Sequence, residues 1–195
     1  VSAKRWQKWS DQFSALIDPE CQDNSVEDLP ELVSLGEVPR QSDNSLSVCI
    51  GASVTGPIEL DLVRDGPHML VAGTTGSGKS EFLRTLITSL CLKYSSRALH
   101  LVLIDFKGGS TFDEFNELPH VAAVVSDLDN ELIERMLNGL KVEIQRRERV
   151  LRKAHVRDIS DLVSTEETLP RLVVIIDEFA VLARRHPEHM KTFTA

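Results

Sequence analysis

Two rhythms of apolar positions run through this sequence. Leu46, Val48 and Ile50 alternate with other residues, and Ile58, Leu60 and Leu62 do so again. A period of two on either side of a turn from Gly51 to Pro57 predicts a β-hairpin with a rather long loop. Met69 to Ala72 is a short apolar run that reads as a buried strand. Phe82, Leu83, Leu86, Ile87 and Leu90 then recur at three and four residues, as on one helix face. Leu99 to Ile104, Val121 to Val125 and Leu172 to Ile176 are almost wholly apolar. Such runs suit strands covered on both faces of a parallel sheet. Phe112 and Phe115 mark a short helix closed by Leu118-Pro119, and Asp158 to Val163 marks another. Between them, Leu132, Ile133, Met136, Leu137, Leu140, Ile144 and Leu151 form a long helical stripe. Asp129 is placed to cap that helix, and Glu131 suits its first turn.

Strands alternating with helices predict an α/β fold with a mostly parallel sheet and helices on both faces. A β-hairpin and an N-terminal helix precede it. In that helix Trp6, Trp9, Phe13, Leu16 and Ile17 share one face, and Pro19 ends it. The face packs back on the domain or docks on a neighbouring one. Residues 18–45, rich in Asp, Asn, Ser and Pro, read as linker.

Composition narrows the class. The 195 residues suit one α/β domain with a sizeable core, and 42% hydrophobic with 27% charged residues is ordinary for a soluble protein. No apolar run approaches the ~20 residues that span a membrane, and no secretory signal opens the chain. The sequence starts at Val1 and not at Met, as expected of a piece of a longer protein. A net charge of -8 disfavours a broad nucleic-acid face but leaves room for a local basic pore. Cys21, Cys49 and Cys91 are odd in number and far apart, which suits a reducing, cytosolic compartment and no metal site. Arg146, Arg147, Arg149, Arg152 and Lys153 crowd the second half of the long helix. They read as a solvated face favoured by the helix dipole, with contact to a partner or an acidic polymer as the alternative.

The chemistry lies at the strand ends. Gly73 to Ser80 fits G-x-x-x-x-G-K-[ST], the phosphate-binding loop of nucleotide triphosphatases. Its members are Gly73, Thr74, Thr75, Gly76, Ser77, Gly78, Lys79 and Ser80. Backbone N–H groups can wrap a triphosphate only where side chains stay out of the way, and the three glycines allow that. The helix that follows aims unpaired N–H groups and a partial positive charge at the phosphates. Lys79 can reach the β- and γ-phosphates, and the Ser80 hydroxyl can ligate Mg²⁺. Leu172 to Ile176 ends in Asp177-Glu178, the Walker B pattern. Asp177 can hold the metal, directly or through a water, and Glu178 can polarise an attacking water and take its proton. The phosphate loop, Asp105 and Asp177-Glu178 all follow strand ends, so they are expected to meet at the C-terminal edge of the sheet.

Several motifs occur in a particular order. Gly66-Pro67-His68 leads into Ala72 to Glu81; then follow Asp105-Phe106-Lys107-Gly108-Gly109, Leu118-Pro119-His120-Val121 and Asp177-Glu178-Phe179-Ala180. Over roughly residues 46–195 this series resembles the FtsK/SpoIIIE family of P-loop motor ATPases, and within it the EccC/EssC ATPases of type VII secretion. The resemblance implies a RecA-like P-loop NTPase core over 46–195, after a helix and linker over 1–45. The core would stop after the Walker B region, short of the family's next strand with its polar sensor residue. It also implies ATP and Mg²⁺ as cofactors and an arginine supplied by a neighbouring domain, so the isolated chain would turn over slowly or not at all. The partners implied are neighbouring ATPase domains of the same chain or ring and a secreted protein, with DNA less favoured. The place implied is the inner, cytoplasmic face of a bacterial membrane, within a larger membrane protein whose spans lie elsewhere. Lys107 faces the nucleotide or a neighbouring domain, or is a solvated lysine on a turn. The implied function is an ATP-hydrolysing motor domain of a type VII-like secretion ATPase. A DNA translocase motor and an ATP-binding regulatory module with little turnover are the alternatives.

Overall fold

The structure, a computed structural model, describes residues 46–53, 56–106, 111–126, 130–162 and 169–189. The predicted N-terminal helix, the linker, the Asp129 cap and Lys107 lie outside these residues. In chain order the elements are β1 (Ser47–Ser53), β2 (Gly56–Asp61), α1 (Lys79–Lys93), β3 (Leu99–Asp105), β4 (Val121–Ser126), α2 (Asn130–Lys153), β5 (Arg171–Asp177) and α3 (Phe179–Arg185). Single 3-10 turns stand at Asp113–Phe115, Ile159–Asp161 and Pro187–His189.

The sheet that carries the site is parallel, with order β4-β3-β5. Its central strand is buried at every position but His100, and its side chains divide between the two faces as a period of two demands. Leu99, Leu101 and Leu103 join Leu83, Leu86, Ile87 and Leu90 of α1 in one core. Val102 and Ile104 join Ile133, Leu137 and Leu140 of α2 and Leu182 of α3 in the other. Helices therefore cover both faces, as predicted. The hairpin β1-β2 is a separate antiparallel sheet that rests on α1 through Leu46 and Val48. Three polar contacts fix it there: Ser89 Oγ donates to the Cys49 carbonyl, Lys93 Nζ to Ser47 Oγ, and Tyr94 Oη to the Ser47 carbonyl.

Four expectations need correction. The hairpin strands run further into the predicted turn, with Ser53 paired to Gly56. The two short helices are single 3-10 turns. The stripe of α2 is narrower than its sequence suggests, because Leu132 and Ile144 are 40% and 38% exposed. The largest difference concerns Met69 to Ala72, which form no strand, and Leu70 is 79% exposed. A strand needs a ladder partner. Among the described residues this segment pairs with none, and the parallel sheet is β4-β3-β5 alone.

Candidate functional site

The phosphate loop has the backbone its glycines permit. Gly76 and Gly78 have φ of 81° and 86°, in the left-handed region that other residues adopt at a cost. At Gly73 the constraint is space, since a Cβ there would fall 2.3 Å from Ser77 Oγ. The Ser77 amide donates to the Thr74 carbonyl, which tightens the turn, and the Phe82 amide donates to Gly78, which starts α1. Residues 72–78 are exposed, and Gly78, the N-cap, offers α1 no side-chain cap. The first amides of the helix thus face outward from an open loop.

β5 delivers the acidic half of the site. Asp105 and Asp177 are paired in register at the tips of β3 and β5, 2% and 1% exposed. Glu178 follows with φ 59° and ψ 48°, its amide donating to Asp177 Oδ1, and α3 begins at Phe179. That left-handed turn ends the strand direction at once.

The two halves meet. Lys79 Nζ lies 3.5 Å from Asp177 Oδ1 and 3.4 Å from Glu178 Oε1. The Ser80 hydroxyl donates to Asp177 Oδ2 at 3.3 Å. Burial lowers the pKa of the Lys79 ammonium, but Asp177 and then Glu178 outweigh it, so the net shift is upward. Lys79, Ser80, Asp177 and Glu178 are thus one cluster, though Lys79 and Glu178 stand 99 positions apart. Thr74, Thr75 and Ser77 line the exposed loop beside it.

Sequence reasoning placed Asp105 near the site but overlooked Arg84. Arg84 reaches from α1 to the Thr111 carbonyl and to Glu114. The available signal was its spacing, four residues after Ser80 and so on the same helix face. The basic half of α2 is mixed. Arg147 is 11% exposed, is paired with Glu143 and donates to the Pro170 carbonyl, which ties the helix to the entry of β5. Arg146, Arg149 and Arg152 are exposed.

Oxygen donors converge at Ser80 and Asp177, and among the described residues no group of three or more His, Cys, Asp or Glu could hold a metal by itself. This pattern fits Mg²⁺, which takes few protein ligands and completes its shell with phosphates and water.

Comparison with known proteins bears on this geometry. Residues 33–168 match the model of the FtsK/SpoIIIE family. The ESX-4 secretion system protein EccC4 of Mycobacterium tuberculosis is 37% identical over 85% of this chain and 15% of its own length. The type VII secretion system protein EssC of Staphylococcus aureus is 34% identical over 78% of this chain and 11% of its own. Among solved structures, the cytoplasmic domain of the type VII secretion ATPase EccC of Thermomonospora curvata superposes with a TM-score of 0.72 at 35% identity. That match covers 84% of this chain and 21% of the other. The chain therefore spans about a fifth or less of each of these three proteins.

Proposed function

The chain belongs to the FtsK/SpoIIIE family of P-loop ATPases, and from that premise we propose that it is an ATP-hydrolysing motor domain of a type VII-like protein secretion machine. The observation that carries the proposal is the convergence of Lys79 and Ser80 with Asp177 and Glu178 within 3.3 to 3.5 Å. A lysine and a hydroxyl from a glycine loop that meet two carboxylates at a strand end are the groups that a phosphate-bearing, metal-bound ligand requires, which supports this reading.

The roles follow from position. The backbone amides from Gly73 to Lys79 cradle the phosphates. Lys79 exchanges its contacts with Asp177 and Glu178 for phosphate oxygens. Ser80 and Asp177 would hold a magnesium ion, which would offset the charge developing on the transferred phosphoryl group. Glu178 is freed as Lys79 turns to the phosphate, and it orients an attacking water and accepts its proton. The secreted protein and the neighbouring ATPase domains belong to the proposal, as does a place at the inner face of the membrane. Among the described residues no helix is long and apolar enough to cross one.

Nucleotide titration tests this reading. Lys79→Ala is expected to weaken Mg·ATP binding at least a hundredfold, with the circular dichroism spectrum unchanged. Equal affinity in the variant would remove the phosphate-loop assignment.

A further inference from the structure

We propose that Arg84 is a positioning residue for the nucleotide site, fixing the turn of α1 that carries Lys79 and Ser80 against the segment after β3. The inference rests on the reading above, because it concerns the alignment of Ser80 with Asp177.

The start of α1 needs an external brace. Its N-cap is a glycine without a side-chain cap, and the loop before it is exposed. Packing through Phe82, Leu83 and Leu86 holds the helix body to the core on the residues after Ser80. Arg84 sits where a brace is required. It lies four residues after Ser80 and projects from the same face. Its Nε donates to the Thr111 carbonyl at 3.3 Å and lies 3.2 Å from Glu114 Oε1. Its Nη1 donates to Glu81 Oε1 at 3.0 Å, in the first turn of the helix.

The far end of the brace is anchored in the core by its neighbours. Phe112 and Phe115 flank the contact and are 1% and 7% exposed, in the core shared with α1. The Thr111 amide donates to Asp105 Oδ2 at 3.4 Å, and Asp105 stands beside Asp177 in the β3–β5 register. The contacts close a ring. From Ser80 it passes to Asp177, across the ladder to Asp105, through Thr111 to Arg84, and back along α1. A guanidinium suits this position because its planar fork serves two acceptors in fixed directions at once.

A merely structural ion pair on this surface would contribute little to stability and nothing specific to the site. A brace predicts something else, a loss confined to the metal-dependent part of binding. Direct partners of metal-holding groups typically change metal affinity by about 10- to 100-fold when removed; Arg84 acts one step further out, through Thr111 and Asp105, so its loss belongs at the lower end of that range.

The experiment is an ATP titration of the 195-residue chain with Mg²⁺ and again with EDTA, for wild type, Arg84→Ala, Arg84→Lys and Glu114→Gln. The readout is the gain in affinity that Mg²⁺ brings. Arg84→Ala is expected to cut that gain about tenfold and to keep affinity in EDTA within about twofold. Arg84→Lys keeps the charge without the fork and is expected to recover part of the gain; Glu114→Gln should lose part of it. Should Arg84→Ala fail to fold by circular dichroism, the other two variants decide the matter. An undiminished magnesium gain in the folded variants, or an equal loss in both buffers, overturns the role of Arg84 and leaves the site reading standing. A wild-type chain that binds no ATP, or binds it without a magnesium gain, overturns both.

Discussion

At the scale of single residues, Glu178 carries the most chemistry for its size. Its left-handed backbone costs roughly 1–2 kcal/mol in a non-glycine residue, and it sets the carboxylate beside Lys79. Replacing Glu178 with Gln keeps the shape and a hydrogen-bond acceptor but removes the proposed base. In the full-length protein the variant is expected to bind Mg·ATP within about threefold of wild type and to lose about 10² to 10⁴ in kcat, the usual worth of a general base. Full turnover would assign the water to another residue. The site was legible at this scale wherever one residue type has one chemical use. Gly73, Lys79 and Ser80 were read from a motif with fixed spacing and Asp177 from the acidic end of an apolar strand, and the structure brings Lys79, Ser80 and Asp177 together. Arg84 was not legible, because an arginine on an exposed helix face has many partners open to it. Which one it takes depends on how Thr111 and Glu114 are folded back.

At the scale of elements, local rhythm carried most of the prediction, and pairing was where it failed. β3, β4 and β5 were found almost residue for residue, since a nearly apolar run of five or six residues has few other uses. Met69 to Ala72 has the same signature and no ladder, because strand formation depends on a neighbour that composition does not encode. The basic half of α2 likewise looked uniform in sequence and is not. Glu143 accepts from Arg146 Nε at 2.7 Å and from Arg147 Nε at 2.9 Å. The hydrogen bond from Arg146 leads, burial opposes it, Arg147 adds to it, and the carboxyl falls from 4.5 to about 2. A lowered folded-state pKa means stability that is fully present above pH 4.5 and is lost as pH falls toward 2. Glu143→Gln is therefore expected to lower the melting temperature by about 2–4 °C at pH 7, for a network of about 1 kcal/mol. The gap between variant and wild type should close as the pH drops through that window. A gap independent of pH would place the effect in packing.

At the scale of the whole molecule, what matters is how far apart in sequence the meeting pieces lie. β1 pairs with the next strand, and the hairpin rests on the helix that follows it. β3 instead pairs with β5 in parallel, Leu99 opposite Arg171, with β4 and α2 lying between them along the chain. The proposed ATP site exists only once that ladder is registered, because Asp177 comes with its last pair and Glu178 directly after it. Closing so long a loop is paid for in chain entropy before any contact returns it, and pairings of this kind are slow to form. The consequence is kinetic. Binding competence should appear with the slowest refolding phase of the chain and never before it, however early α1 and the hairpin form. Refolding from denaturant, with nucleotide capture read beside far-ultraviolet dichroism, reports the order. Capture that runs ahead of the slowest phase would mean that the glycine loop and α1 hold nucleotide before β5 is in place.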